Sequence, residues 1–288
     1  MSSEMKDKVL KNLHSINSLC VGVRQELMHR SDAPEFPITS LDNLNRKIWG
    51  LKRGLNIIAG RTSQGKSALG KQIAWGLAKN KLPTLYMSLE DDAAGIVESL
   101  FSNIKEVDNQ ELLTGAFKFS SDYQGDWAEF ITQIPKELLI TNNLGVTFDE
   151  VNYMIQALQP KPKCVIIDYI QAIKYSGKNE RENLNEYIRQ FRQICFENGI
   201  AGVLVSQMNR MAVADDHEPG LENLKGTGTL EEHADLVLIL QWEYFFSRVE
   251  EKKNDFTIYV AKNKKGRTGK HPVRFFPQFS KFKECPQI

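Results

Sequence analysis

Long apolar runs are missing from this chain. None of its 288 residues falls in an uninterrupted apolar stretch of 18, so no membrane-spanning helix is expected. The opening Met1-Ser2-Ser3-Glu4-Met5-Lys6 is polar and leads to no signal-peptide apolar core. Cysteine is scarce. Cys20, Cys164, Cys195 and Cys285 stand far apart with no C-x-x-C pair, and read as buried or incidental thiols in a reducing cytoplasm. Internal repeats and low-complexity tracts are absent as well. Net charge is only +1, but it is unevenly spread: Arg248 to Ile288 carries 11 Lys/Arg against 4 Asp/Glu, a net +7 that leaves −6 elsewhere. A basic C-terminal segment suggests an anionic partner. The plainer alternative is a strand edge protected by lysines. With 41% hydrophobic and 25% charged residues, what remains is the composition of an ordinary globular domain.

Against that background one stretch stands out, Gly60-Arg61-Thr62-Ser63-Gln64-Gly65-Lys66-Ser67. It fits G-x-x-x-x-G-K-[ST], the phosphate-binding loop. Its glycines let the backbone turn tightly, so that several N–H groups point at one polyphosphate. Lys66 reaches the β- and γ-phosphates in such a loop, and Ser67 holds Mg²⁺. Leu55 to Ala59 is an apolar run ending at the loop, and Ser67 to Lys79, through Ala68, reads as a helix with Leu69, Ile73, Ala74 and Leu77 on one face. The helix N-terminus adds partial positive charge at the phosphate.

Upstream, residues 4–29 read as one helix. Val9, Leu13, Ile16, Cys20, Val23 and Leu27 form a stripe spaced 4, 3, 4, 3, 4, narrower than a core helix needs. The Pro34/Pro37 segment ends it in an extended linker. Two domains are therefore expected, an arm at 1–35 and a body at 36–288. The arm's stripe must be covered by its own body or by a neighbouring subunit. Downstream, strands at 84–89, 138–140, 164–168, 201–205, 236–240 and 256–260 alternate with helices at 93–104, 148–158 and 182–198, and a hairpin closes the chain at 273–282. Residues 106–133 are polar with short helical patterns and no clear motif. Alternating strands and helices imply an α/β fold with a parallel sheet covered on both faces.

Several other residues carry chemistry. Asp168 ends the apolar run Val165-Ile166-Ile167, and a carboxylate at the tip of a buried strand beside a phosphate loop can bind Mg²⁺ through water. Glu90 follows Tyr86-Met87-Ser88-Leu89 and can deprotonate an attacking water; with Asp91 and Asp92 beside it, a solvated acidic turn or a helix N-cap is the competing account. Gln207, two residues beyond the expected strand and just before Arg210, can touch a γ-phosphate, or belongs to an ordinary polar loop. Lys225-Gly226-Thr227-Gly228 suits sequence-blind contact with a nucleic-acid backbone, or is a mobile glycine loop. Lys262-Asn263-Lys264-Lys265-Gly266-Arg267 supplies cations for an active site or for DNA, or is a solvated turn.

Together these motifs resemble the replicative hexameric helicases of the DnaB type, within the RecA-like ATPases. The resemblance covers about residues 36–283 and rests on GRTSQGKS, YMSLE, VIIDYIQ, ENGIAGVLVSQMNR, GTLEEHAD and VAKNKKGRTG in that order, with Arg181-Glu182-Asn183 before the long helix. It implies a RecA-like core with a mostly parallel central sheet flanked by helices. It further implies a ring of six subunits with ATP and Mg²⁺ at each junction and single-stranded DNA through the centre, in the cytoplasm of a bacterial or phage-infected cell. By position, Glu90 is the implied catalytic base and Gln207 the γ-phosphate sensor. Lys262 and Lys264 are the implied pair inserted from the neighbour, and Lys225, Gly226 and Gly228 lie in the DNA-gripping loop. The segment before the core resembles the linker helix that docks on the next subunit.

The sequence also departs from that pattern. Lys264 stands where arginine is usual, and lysine lacks arginine's planar fork; Lys265 or Arg267 are the alternative cations. Lys225-Gly226 replaces Arg-Glu. The helical collar domain that meets primase is not among these residues. The expected function is an ATP-driven DNA-unwinding motor with a primase or loader as a further partner. Its rival is a RecA-like DNA-binding ATPase that loads or regulates without unwinding.

Overall fold

The computed structural model describes residues 16, 20, 23–25, 28, 33–38, 40–120, 122–142, 147–173, 180–208, 218–224 and 228–285, with backbone only at 180 and 181. By contacts the chain divides into two units, Met1–Pro34 and Glu35–Ile288. In the first, every described position of the expected helix is helical, and Ile16 and Val23 of its stripe are exposed.

The second unit is built on one nine-stranded sheet in the order β3-β2-β4-β5-β1-β6-β7-β8-β9. Its strands are β1 (Gly54–Gly60), β2 (Thr84–Ser88), β3 (Leu138–Thr141), β4 (Cys164–Asp168), β5 (Ala201–Gln207), β6 (Leu236–Trp242), β7 (Asp255–Asn263), β8 (Gly269–Phe276) and β9 (Lys281–Glu284). The first six pair in parallel. The last three form an antiparallel meander, so β8 pairs with β7 as well as closing the expected terminal hairpin. Among the described residues the main helices are α1 (Asp42–Ile48), α2 (Lys66–Lys79), α3 (Ala93–Lys105), α4 (Asn109–Thr114), α5 (Tyr123–Gln133), α6 (Phe148–Ala157), α7 (Glu180–Glu197), α8 (Gly228–His233) and α9 (Glu243–Ser247).

The continuous apolar runs of β1, β4 and β5 are explained by burial on both faces. Successive side chains alternate across the sheet. Ile58 and Ile166 join one core with α2, α3 and the closing hairpin; Leu55, Ile57, Val165 and Ile167 join the other with α6 and α7. The polar stretch 106–133, where the sequence shows short helical patterns, holds α4, a 3₁₀ turn at Ala116–Phe119 and α5. It is pinned by an aromatic cluster, with Phe101 stacked on Trp127 at 4.1 Å and Trp75 on Phe130 at 5.6 Å. No described helix is long and apolar enough to cross a membrane.

Strand order decides where the chemistry goes. β2, β4, β5 and β1 are neighbours and run the same way, so their C-terminal ends form one edge. Ser88 lies opposite Asp168, and Gly60 opposite Gln207. Residues 80 and 147 positions apart in the chain thereby converge where open α/β sheets bind ligands.

Candidate active site

The phosphate loop leaves β1 at Gly60 and enters α2 at Lys66. Gly65 precedes the helix with φ +72°, in the left-handed region. A Cβ there would lie 2.9 Å from Cζ of Phe282 and 3.0 Å from Cζ of Phe275, so both backbone and packing require glycine. Lys66 Nζ donates to the Arg61 carbonyl at 2.9 Å. Burial lowers the Lys66 pKa, while Asp168 and Glu90 pull it back up. The side chain of Gln64 is buried and accepts from Trp242 N at 2.5 Å. That amide ties the loop to the end of β6, so only the Gln64 backbone is left to face a phosphate. Arg61 lies over Phe245 and Phe246, 5.9 and 5.4 Å from the ring centroids.

Asp168 is 4% exposed. Its Oδ2 accepts from the Tyr86 hydroxyl at 2.5 Å, and the Ser67 side chain lies beside the same carboxylate. Burial raises its pKa; the Tyr86 and Ser67 hydroxyls oppose this. A hydroxyl and a carboxylate side by side, both hard oxygen donors, fit Mg²⁺, which takes few protein ligands and fills its octahedron with water and phosphate oxygens. Consistent with so sparse a set, no group of three His, Cys, Asp or Glu that could hold a metal occurs among the described residues.

The three acids after β2 turn out to have different employment. Asp92 caps α3, accepting from Gly95 N at 2.8 Å. Asp91 pairs with the buried Lys71 at 2.8 Å. The Glu90 carboxylate is engaged by no hydrogen bond or ion pair among the described residues, and only its backbone N–H is held, by Ser88 Oγ at 3.4 Å. The N-cap account is thus right for Asp92, Asp91 is held in an ion pair, and the exposed Glu90 carboxylate fits both a solvated turn and a group that acts on a ligand.

Gln207 is the last residue of β5 rather than a loop residue beyond it, because β5 continues its pairing with β1 as far as Gly60. Its Nε2 donates to Thr62 Oγ1 in the phosphate loop at 2.6 Å. Gln171, the last residue of the VIIDYIQ string but given no role by it, spans the same edge: its Nε2 donates to Ser206 Oγ at 2.9 Å and its Oε1 accepts from Gln207 N at 3.4 Å. One residue beyond Gln207, Met208 bridges to Leu224. Lys225 and Gly226 lie outside the described residues, and Gly228 opens α8.

Lys262 and Lys264 are not in this cluster. Lys262 lies in β7 opposite Val237, at the start of β6, and Lys264 is in the turn that follows. Lys262 Nζ donates to the carbonyls of Glu231 and Glu232, and Lys264 Nζ to Asp235 Oδ1 at 2.8 Å. Asp235 in turn accepts from Leu55 N at 3.0 Å, so the pair sits at the N-terminal edge of the parallel strands. From Leu55 to Gly60 a strand rises roughly 17 Å.

Comparison with known proteins bears on what such an edge does. The sequence model of the DnaB-like helicase C terminal domain matches residues 38–284. The chain is 27% identical over 275 residues to the replicative DNA helicase DnaB of Geobacillus stearothermophilus, an alignment covering 89% of this chain and 58% of that one. It is 26% identical over 256 residues to the replicative DNA helicase DnaC of Bacillus subtilis (strain 168), covering 85% and 55%. The chain thus spans a little over half the length of these curated relatives. Among solved structures, a DnaB-like replicative helicase described with its interactions with primase superposes with a TM-score of 0.87 at 22% identity, covering 98% of this chain and 71% of that chain. A second solved structure, an isolated ATPase domain, superposes with a TM-score of 0.86 at 22% identity, covering 96% and 100%.

Proposed function

Because the chain belongs to the DnaB-like helicase C-terminal domain family, we propose that it is the ATP-hydrolysing motor of a ring-shaped DNA helicase, with each catalytic site completed by the adjacent subunit. The observation that carries this reading is the separation of its cations. Lys66 stands with Ser67, Asp168, Glu90 and Gln207 at one edge of the sheet, while Lys262 and Lys264 are held at the other. A lysine side chain extends about 6 Å, well short of the roughly 17 Å strand between the two edges, so the pair does not reach its own phosphate loop, which supports its serving a different copy.

In this reading the loop N–H groups and the α2 N-terminus bind the ATP phosphates, and Lys66 holds the β- and γ-phosphates. Ser67 and Asp168 are the residues that would hold Mg²⁺, whose charge neutralises the phosphate oxygens when it is bound. Glu90 accepts the proton of the attacking water. Gln207, already bonded to Thr62, senses the γ-phosphate. Its neighbour Met208 bridges to Leu224, one residue before Lys225, which supplies a short path from the phosphate to the segment that grips single-stranded DNA through Lys225, Gly226 and Gly228. The exposed stripe residues Ile16 and Val23 support residues 1–35 as an arm that docks on the next subunit of a hexamer. Primase or a loader is a further partner in this reading, and the cytoplasm of a bacterial or phage-infected cell is its setting.

The test is strand displacement on forked DNA with ATP, for the wild-type chain and for Lys66→Ala. Displacement that the variant loses supports the motor. ATPase activity stimulated by single-stranded DNA but with no strand displacement would refute it and leave a loader or regulator.

A further inference from the structure

Resting on the reading that Lys264 serves the neighbour's nucleotide, we propose that Asp235 is the positioning residue that aims Lys264 across the junction. Lysine is a flexible cation with three rotatable donors and no planar fork of its own. An exposed turn, as at residues 264–270, does not orient such a chain. Something rigid has to.

Asp235 has the required anchorage. Its Oδ1 accepts from Lys264 Nζ at 2.8 Å, and Lys264 N donates to the Asp235 carbonyl at 2.9 Å. Lys264 is thus held at both ends by one residue. Asp235 is itself fixed to the sheet, since Oδ2 accepts from Leu55 N at 3.0 Å and its own N–H donates to the Leu55 carbonyl at 2.7 Å. The approach is close enough that a Cβ at Gly54 would lie 2.5 Å from Oδ2. Glycine there, with φ +102°, makes room for the carboxylate. Burial pushes the Asp235 pKa up, but the hydrogen bonds from Lys264 and Leu55 outweigh it and hold the carboxyl below its ordinary range. Lys262 is seated on the same segment, through the carbonyls of Glu231 and Glu232. The other cation facing Asp235 is Arg192 of α7, whose Nη2 is 3.6 Å from Oδ1, a longer contact with poorer geometry than the Lys264 bond.

The experiment measures DNA-stimulated ATP turnover and binding of a fluorescent ATP analogue in Asp235→Asn. Misplacing a reacting group by an ångström costs up to about 10²-fold, so turnover is expected to fall about tenfold or more. Analogue affinity should stay within about twofold, because the chain's own phosphate loop lies at the far edge of the sheet. Asp235→Glu, which keeps a charged acceptor, should retain most of the rate; equal losses in both variants would overturn the proposal. The double variant Asp235→Asn/Lys264→Ala should be no slower than Lys264→Ala alone, since residues acting as a unit do not add; losses that multiply would overturn it. Arg192→Met should turn over at the wild-type rate. If it reproduces Asp235→Asn, the carboxylate's working partner is Arg192 and the assignment is wrong. A slow Lys264→Ala beside a normal Asp235→Asn defeats only the Asp235 assignment, whereas a normal Lys264→Ala defeats the cross-junction reading itself.

Discussion

Glu90, Asp91 and Asp92 are consecutive acids, yet neutralising each should produce a different failure. Glu90→Gln removes a carboxylate that holds nothing in the fold, so stability should move by no more than about 0.5 kcal/mol, as for surface positions outside any network. Its cost should appear in the rate. Losing a general base is worth about 10²-fold or more, about 2.7 kcal/mol on the barrier at 1.36 kcal/mol per tenfold, with ATP still bound. Asp91→Asn strands Lys71, whose side chain is 9% exposed against 40% for Asp91. Breaking a fully buried pair costs several kcal/mol, and screening of the exposed partner brings this to about 1–2 kcal/mol. Asp92→Ala removes the cap on α3, for about 1 kcal/mol. Urea midpoints, analogue binding and single-turnover hydrolysis, measured on all three, separate the roles. The reasoning fails if Glu90→Gln turns over within a few-fold of wild type, or if Asp91→Asn shows the catalytic defect at an unchanged midpoint.

Three further outcomes are expected. Gly65→Ala should lower the unfolding midpoint by the equivalent of about 2–5 kcal/mol, from the left-handed backbone and overpacking against Phe275 and Phe282, and should abolish ATP binding; a wild-type midpoint would contradict the packing. Deleting residues 1–30 should leave a folded body that no longer forms rings, and light scattering showing unchanged oligomers would remove the arm from the account. Lys225→Ala should weaken single-stranded DNA binding equally across sequences and make its salt dependence shallower, since one phosphate contact releases about one counterion; a loss confined to particular sequences would indicate base readout instead.

Much of this architecture is legible without coordinates because the phosphate loop and the apolar strands announce themselves by local pattern. The sheet order is not local. Nothing in Ser88 or Asp168 alone says that they lie opposite each other, and the convergence of Glu90, Asp168 and Gln207 follows only from β4 and β5 inserting between β2 and β1. The division of labour among residues 90–92 is equally hidden, because it depends on Lys71 reaching Asp91 from a different element. Residues 106–133 are only partly legible for another reason. Their short helical patterns show in the sequence, but their arrangement comes from Phe117, Trp127 and Phe130 packing on Phe101, which no local period reports. The end of β5 at Gln207 is hard to place because Ser206 and Gln207 are polar, yet their backbones pair with Ala59 and Gly60.

In the proposed reading, the charge at the two edges favours a site shared between copies. At the phosphate edge, Lys66 faces Asp168 and Glu90, while Arg61 is spread over Phe245 and Phe246 and Lys71 is spent on Asp91. In the proposed reading one ammonium, a helix terminus and Mg²⁺ would meet a triphosphate beside two carboxylates, and a further cation would stabilise the charge that develops on transfer. The far edge gathers several cations, of which Lys264 is paired with Asp235. Burial and then the neighbouring charge of Lys264 lower the pKa of Lys262, and burial and then Lys265 do the same to Lys52. In the proposed ring, the far edge of one copy set against the phosphate edge of the next would bring Lys264 to that site. Such a contact joins two different surfaces, so it is head-to-tail, and repeated head-to-tail contacts close into a ring when the rotation per step divides the circle. In that arrangement the further cation comes from the far edge of the neighbour, where the fold holds Lys264, paired with Asp235, on the strand whose other end carries the phosphate loop.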